Sequence, residues 1–393
     1  MPKIDPALAL DRAQRRRVGA VDIVRGGAIV LMALDHTRDY TSTLRFAPEN
    51  LALSSLPMFL TCWVTHFRAP TSLLLAGVGI GLASPRLPQP ALRRFLVTRG
   101  LWLLVLELLV TPLGWQFGFE PRPAFALVLW VLGWSMILMA PVTGLPRQGV
   151  GLAAVMLIAG HNPSDGIRPE ALGGLAPLWR LLHVPGFLWP GGLFIGYPLL
   201  PWVAVMAFGY SVAPVFAWPP DRRRRVLLQA GLGALALFVV LRALNGYGNP
   251  APWRVQATPG LTLASFLNLL KYPPSLQLLL MTLGGAALAL AWGGAGSRLA
   301  VARAHHLRPG TVVLLRRPYL VAHAVAVPLA VVQSGEWRRI EVITHPERIP
   351  DWFGVPLPGV YVAWLLVVAL LCMPCRLMDR MKSTRLEWWW RYL

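Results

Sequence analysis

The stretch VDIVRGGAIVLMALDHTRDY, residues 21–40, decides the fold class of this chain. Nine residues between Arg25 and Asp35 are uninterrupted by any charge, while both ends of the stretch are charged. A helix that crosses a bilayer needs about 20 mostly apolar residues, fewer when neighbouring helices shorten the crossing. We therefore predict that residues 20–40 form the first of a series of membrane-spanning helices.

The rest of the chain repeats this pattern. The further apolar runs are 58–83, 98–117, 124–142, 149–161, 194–217, 226–243, 271–293, 311–333 and 357–377. Of the 393 residues, 55% are hydrophobic and 14% are charged, whereas soluble domains carry about a quarter charged residues. These features predict an all-α polytopic membrane helix bundle of about ten spans. A single domain, 20–377, is expected between a basic tail, 1–19, and an aromatic and basic interfacial tail, 378–393.

The net charge is +20. The unequal distribution of the Lys and Arg residues along the chain decides the predicted orientation. If the amino terminus is inside, 24 of the 37 Lys and Arg residues lie in inner segments and 11 lie in outer ones. Basic residues concentrate on the cytoplasmic side of membrane proteins, so both termini are predicted to be cytoplasmic. The same distribution, between apolar runs, predicts lipid as the partner and no nucleic acid.

Ionisable residues follow one stripe of the first helix. Helical spacing places six residues on it: Asp22, Arg25, Ile29, Met32, His36 and Asp39. Such groups cost about 2.5–3.5 kcal/mol at the bilayer centre and usually face the interior of a bundle. One interpretation is a catalytic cluster, with His36 as general base and Asp35 or Asp39 orienting it. The other is a polar helix end whose ion pairs lock the packing.

Further polar residues mark the outer helix ends. As pocket or substrate-binding candidates we name Arg38, His66, Arg68, His161, Asn162, Tyr197, Trp202, Lys271 and Tyr272. The alternative for His66 is a satisfied core histidine, and the alternative for the residues from His161 onward is an interface anchor or a turn. Glu107 is interpreted as structural, with a buried partner such as Arg25.

No metal site is predicted. Cys372 and Cys375 form one C-x-x-C pair, which lacks two of the four ligands of a structural zinc site. The sequence also lacks the H-E-x-x-H, phosphate-loop and nucleophile-elbow motifs. ATP-driven transport and soluble-type hydrolase chemistry are therefore unsupported.

An ordered set of stretches resembles bacterial members of the heparan-α-glucosaminide N-acetyltransferase catalytic-domain family, over roughly residues 17–393. The stretches are VDIVRGGAIVLMALDHTRDY, THFRAPTSLLLAGVG, RGLWLLVLELLV, LWVLGWSM, AGHNPSD, YPLLPWVAVMAFGY, FLNLLKYPPSLQLLLMTLG and CRLMDRMKSTRLEWWWRYL. The most specific feature is YPLLPW followed by KYPPSL. The family implicates an Asn at the outer end of the first shared helix, and Asp35 falls near that position.

The resemblance implies transmembrane acetyl transfer. Acetyl-CoA would bind from the cytoplasm, and the acetyl group would pass to an amino sugar or another envelope glycan on the far side. It also implies a multi-pass protein of the bacterial inner membrane, for which a homodimer is one possible assembly.

A thioester is already activated, so the enzyme needs a base for the acceptor and polar groups for the oxyanion. We predict His36 as the base, with Arg38 and His66 as pocket or oxyanion groups. The CoA phosphates are assigned to inner-side arginines, namely Arg25, Arg93, Arg94 and Arg317. A transporter or export channel for a small polar solute or a lipid-linked sugar is the alternative, since buried His, Asp and Arg pairs also suit proton-coupled transport.

Overall fold

The computed structural model describes residues 6–116, 124–293, 312–335 and 349–384, and this part of the chain is mostly helical. Within these ranges the α-helices are α1 (Pro6–Thr41), α2 (Leu56–Thr65), α3 (Arg68–Ala83), α4 (Gln89–Gln116), α5 (Val128–Val142), α6 (Arg147–Gly160), α7 (Ala176–Leu182), α8 (Leu199–Val212), α9 (Pro220–Leu244), α10 (Pro259–Leu267), α11 (Leu276–Gly293), α12 (Val312–Ser334) and α13 (Leu357–Thr384). The prediction of a helical bundle is thereby confirmed.

Four helical segments in the described ranges are long and apolar enough to cross a bilayer. They are Leu56–Arg86, Leu199–Ala217, Pro220–Leu244 and Leu276–Gly293. Shorter apolar helices cover Val128–Val142, Pro318–Ser334 and Leu357–Cys372. The full count of about ten spans, their orientation and the division into one domain with two tails stay predictions.

The outward faces of these helices are apolar. On α9, large side chains such as Leu232, Leu237, Val239 and Val240 are exposed. Soluble proteins rarely expose an apolar face of this kind to water, whereas in a membrane such a face lies in contact with lipid. The chain is therefore a membrane protein, as its composition predicts.

The all-α prediction missed a small sheet. Strands β1 (Ala124–Ala126), β2 (Gly186–Phe187) and β3 (Leu193–Ile195) pair in the order β1-β3-β2, parallel between β1 and β3 and antiparallel between β3 and β2. Strands this short show no two-residue alternation that a sequence pattern could reveal. The sheet leads directly into α5 and, through Tyr197, into α8.

The second predicted span is broken into α2 and α3. Pro70 has no N–H to donate to the carbonyl of His66, and its ring clashes with that carbonyl in a regular helix. The helix accordingly ends at Thr65 and begins again at Arg68. This break turns Thr65 and Arg68 toward the end of α1.

Helices α3 and α8 touch backbone to backbone. A Cβ atom added at Gly77 would lie 2.0 Å from the carbonyl oxygen of Met206, and one at Gly209 would lie 2.2 Å from that of Leu74. Small residues permit this spacing between membrane helices. The two helices therefore form one tightly joined pair, named here the α3–α8 seam.

Helix α1 lies inside the bundle, against α3, α11, α12 and α13. Ile29 and Met32 on its predicted stripe are buried. At its C-terminal end, the N–H of Val355 donates to the carbonyl of Thr41 at 2.7 Å, and Tyr40 stacks on His323 of α12 with ring centroids 4.6 Å apart. The charged end of α1 is thus enclosed by protein.

Candidate active site

A cavity of about 260 Å³ lies beside the C-terminal end of α1. Its polar lining consists of Asp35, His36, Arg38, Asp39, Glu49, Cys62, Arg68, Glu107, Tyr197, Lys271, Tyr272 and Tyr319. The apolar part of the lining comes from Met32 and from Leu127, Val128 and Leu129 at the start of α5. The cavity therefore gathers side chains from six helices, α1 to α5 and α12, and from the loops that carry Glu49, Tyr197 and Lys271.

Asp35 is the hub of the charged network and is only 4% exposed. Its Oδ1 accepts from Nη2 of Arg38 at 2.8 Å and from Oγ1 of Thr65 at 2.9 Å. Its Oδ2 lies 2.6 Å from Nη2 of Arg68. Arg38 also donates to Asp39 at 2.8 Å. Two carboxylates and two guanidinium groups thus balance each other inside the bundle.

His36 faces the same cavity. Nη1 of Arg68 lies 3.2 Å from Nε2 of His36. A guanidinium group has donors and no acceptor, so Nε2 must accept and carries no proton. The imidazole is therefore neutral, with its proton on Nδ1. The ring of Tyr319 packs edge-on against it at 5.7 Å between centroids.

Two tyrosines, Tyr197 and Tyr272, form a further wall of the cavity. The hydroxyl of Tyr272 donates to that of Tyr197 at 3.0 Å, and the rings meet edge to face. Trp202, fully buried, packs behind Tyr197 with centroids 5.4 Å apart. Nζ of Lys271 lies 5.3 Å from the ring centroid of Tyr272. The wall therefore offers aromatic faces, hydroxyls and one cation.

The small sheet sets the position of this wall. The N–H of Tyr197 donates to the carbonyl of Ala126 at 3.3 Å, directly after β1 and β3 have paired. The N–H of Leu127 then donates to Oε1 of Glu107 at 2.7 Å. Glu107 is therefore bonded to the backbone at the cavity edge.

His161 and Asn162 are not among the residues that line this cavity. Nε2 of His161 donates to the carbonyl of Pro274 at 2.9 Å, and Oδ1 of Asn162 accepts from the N–H of Leu276 at 2.9 Å. Asp165 accepts from Asn162 and lies 2.8 Å from Nε2 of His183. This network holds the segment that carries Lys271 and Tyr272, with its cis Tyr272–Pro273 bond.

The arginines assigned to CoA lie elsewhere. Arg25 is 3.6 Å from Asp22 and donates to the carbonyl of Leu75. It precedes Asp35 by ten residues, which is about 15 Å along a helix axis. Arg93 and Arg94 are exposed near the start of α4, and the side chain of Arg317 lies outside the described residues. The cavity thus brings the candidates on α1 together with Arg68, Tyr197, Lys271 and Tyr272, but it does not include these arginines.

A second polar group adjoins the cavity, and the sequence analysis did not predict that its three members lie together. Glu49, Cys62 and His66 approach one another, and Glu49 and Cys62 line the cavity, while His66 lies behind them. Sγ of Cys62 lies 3.3 Å from Oε1 of Glu49, and Nε2 of His66 lies 3.5 Å from the same oxygen. Burial raises the pKa of Glu49, but the neighbouring His66 lowers it by more, so that this pKa is about 2.

One signal for this group was present in the sequence. Cys62 and His66 are four residues apart, the spacing that places two side chains on one helix face. Glu49 carried no such signal because it lies in a loop. Tyr319 joins the cavity from α12, nearly three hundred residues after α1, and no local pattern indicates that contact.

Comparison with known protein families gives one match. A family model described as "Heparan-alpha-glucosaminide N-acetyltransferase, catalytic" matches residues 17–242, which is more than half of the chain. That range contains Asp35, His36, Arg68 and Tyr197, whereas Lys271 and the residues after it lie beyond the match. No curated protein matches the chain.

Proposed function

Because the chain belongs to the heparan-alpha-glucosaminide N-acetyltransferase catalytic family, we propose that the cavity beside Asp35 and His36 is the reaction centre of a membrane acetyltransferase. The donor in this proposal is acetyl-CoA from the cytoplasm. The acceptor is an amino sugar or another glycan of the cell envelope on the outer side. The single observation that supports the site best is the 3.2 Å contact that places Nε2 of His36 against the Nη1 donor of Arg68 in the cavity.

The reaction needs one proton transfer and one acyl transfer. The acceptor nitrogen or oxygen attacks the thioester carbonyl, the new C–N or C–O bond forms, and the C–S bond breaks. The thiolate of CoA leaves, and the acceptor's proton passes to a base. A neutral imidazole suits that step because its unprotonated nitrogen can accept the proton.

His36 is the proposed base. An acceptor N–H or O–H would replace Arg68 as the donor to Nε2 and then transfer its proton there. Arg68 would keep its 2.6 Å ion pair with Asp35 and turn Nη1 toward the developing oxyanion. Donors aimed at the oxyanion are a large part of acyl-transfer catalysis. Asp35 thus acts by holding Arg68 rather than by touching the substrate.

The acceptor is proposed to bind between Tyr197, Tyr272 and the carboxylates of Asp39 and Glu107. Aromatic rings offer an apolar face to a sugar ring, and the hydroxyl and carboxylate oxygens accept from its hydroxyls. Lys271 adds a donor on the same wall. His161 and Asn162 support this subsite through the backbone, and Trp202 supports it from behind Tyr197.

The donor is proposed to enter from the cytoplasmic end. Its phosphates would bind to arginines, because one guanidinium group can donate two parallel hydrogen bonds to a phosphate. These arginines are Arg25, Arg93, Arg94 and Arg317. The distance of about 15 Å between Arg25 and Asp35 along α1 requires an extended arm between the phosphates and the thioester. The pantetheine arm of CoA is such a connection.

The test uses purified full-length protein in liposomes with acetyl-labelled acetyl-CoA. We expect label to appear on an added amino sugar or envelope glycan, with one thiol released per acetyl transferred. A His36→Ala protein should lose both signals, whereas Thr37→Ala, a neighbour that does not line the cavity, should keep them. Solute flux without acylation would support the transporter and overturn the proposal.

A further inference from the structure

Glu49, Cys62 and His66 form a three-cornered group next to the cavity. Cys62 and His66 lie one turn apart on α2, and Glu49 reaches them from the loop that follows α1. The side chain of Asn268 donates to the backbone carbonyl of Glu49 at 2.8 Å and fixes that loop. Cys62 and His66 are 3% and 1% exposed.

The spacing of the three atoms is that of metal ligands. Sγ of Cys62 is 3.7 Å from Nε2 of His66 and 3.3 Å from Oε1 of Glu49, and the last two atoms are 3.5 Å apart. Tetrahedral zinc, with Zn–S of about 2.3 Å and Zn–N or Zn–O of about 2.0–2.1 Å, separates its ligand atoms by about 3.3–3.6 Å. One point is therefore at bonding distance from all three atoms.

Hydrogen bonding explains this arrangement less well. An N–H donor prefers an oxygen at about 2.7–3.2 Å, and the His66–Glu49 distance of 3.5 Å exceeds that range. A thiol is a weak donor. Three side chains that converge on one point without a short contact suit an ion better than each other.

We propose that Glu49, Cys62 and His66 bind a Zn²⁺ ion, with the fourth coordination position directed toward the cavity. A thiolate, an imidazole and a carboxylate together favour zinc over magnesium or calcium, which prefer oxygen alone. Three protein ligands with one open position are typical of catalytic zinc. Glu49 and Cys62, which line the cavity, give that position access to it.

The charges in this region are compatible with the ion. Binding releases the Cys62 proton, because zinc coordinates the thiolate. The thiolate and the Glu49 carboxylate then offset the two positive charges of Zn²⁺. The ion, the thiolate and the carboxylate together are then neutral, beside Arg38 and Lys271 in the same cavity.

The open position can take a lone pair from an oxygen or nitrogen of a molecule in the cavity. If the proposed acetyl transfer is correct, that molecule is the acceptor, and only the identity of this fourth ligand rests on the proposed function. The metal site itself stands on the three ligands and is tested without any measurement of acetyl transfer.

The experiment replaces zinc with cobalt, whose absorption reports its ligands. Full-length protein in detergent is stripped with a chelator and given Co²⁺. We expect one cobalt per chain by elemental analysis, visible bands of a tetrahedral ion and a thiolate-to-cobalt charge-transfer band that Zn²⁺ abolishes. Unmodified protein that binds no cobalt, or binds it without the charge-transfer band, would overturn the site.

Matched variants locate the ligand. The charge-transfer band should vanish in Cys62→Ser and persist in a Cys372→Ser, Cys375→Ser double variant. Glu49→Gln should weaken cobalt binding by at least about tenfold, because mutation even of a residue that only hydrogen-bonds to a metal ligand lowers metal affinity by that factor. A band that persists in Cys62→Ser but is lost in the double variant would assign the metal elsewhere and refute the proposal. Gel filtration and thermal melting establish that each variant is folded.

Discussion

Arg68 donates through Nη1 to Nε2 of His36 at 3.2 Å, and this contact fixes the imidazole as a neutral acceptor. The same guanidinium holds Asp35 at 2.6 Å through Nη2. One arginine therefore couples the predicted base to the buried carboxylate. A sequence pattern names all three residues but cannot show that Arg68 is the link between the other two.

Replacing His36 by Ala removes the proposed base. We expect the rate of acetyl transfer to fall by about 100- to 10,000-fold, the usual contribution of a positioned base. Steady-state assays with labelled acetyl-CoA measure the loss. A His36→Ala protein that is inserted, folded and as active as Thr37→Ala would remove His36 from the mechanism.

Asp35→Asn should destabilise the fold as well as the reaction. The carboxylate of Asp35 balances Arg38 and Arg68, and loss of one partner of a buried ion pair costs about 3–5 kcal/mol. Thermal melting in detergent should show a clear drop in Tm. The exposed Asp351→Asn provides the matched control and should melt like the unmodified protein.

Asn162→Ala tests the support of the acceptor wall. It leaves the buried N–H of Leu276 without its acceptor, at a cost of about 1–3 kcal/mol. Because the segment with Tyr272 then shifts, we expect KM for the acceptor to rise while KM for acetyl-CoA stays unchanged. Equal changes in both constants would show that Asn162 has no special relation to the acceptor.

The stability contributed by Glu49 should depend on acid pH. Its folded pKa of about 2 lies below the unfolded value of about 4.3, so the contribution is complete above the unfolded pKa. It is lost as pH falls through about 2. In chelator-treated protein, the Tm difference between unmodified and Glu49→Gln protein should therefore be largest above pH 5 and shrink toward pH 2. A difference that grows with acid would contradict the assignment.

The predicted orientation can be tested with single cysteines in a chain whose three native cysteines are replaced. Arg254→Cys, in a predicted outer loop, should react with an impermeant maleimide on intact cells. Arg225→Cys, in a predicted inner segment, should react only after the membrane is opened. Both native residues are exposed. The reverse pattern would show that the termini lie outside.

The sequence was most informative where residues share one helix. The spacing on α1 predicted that Met32, His36 and Asp39 face inward together, and all three line the cavity. The free-energy cost of placing a charged side chain in lipid explains this success. Within a membrane span, such a side chain is stable mainly where it faces the bundle interior.

Prediction was weakest where the position of a side chain depends on backbone groups that are far away in the sequence. His161 and Asn162 carry the right chemistry for a pocket, yet they bond to the backbone of Pro274 and Leu276. Glu107 looked isolated in the sequence because it accepts from the backbone N–H of Leu127, and a backbone donor leaves no sign in the sequence. The place of Glu49 likewise depends on where a loop folds back.

The α3–α8 seam restricts how the molecule can work. Arg68 begins one helix of the seam and Tyr197 lies two residues before the other, so the parts of the cavity wall that they form are set by a single rigid pair. Carriers that alternate between two openings need interfaces that can slide, and backbones in direct contact resist sliding. Any adjustment to an incoming molecule must therefore come from side chains such as Arg68 and from the loops that carry Glu49 and Tyr272.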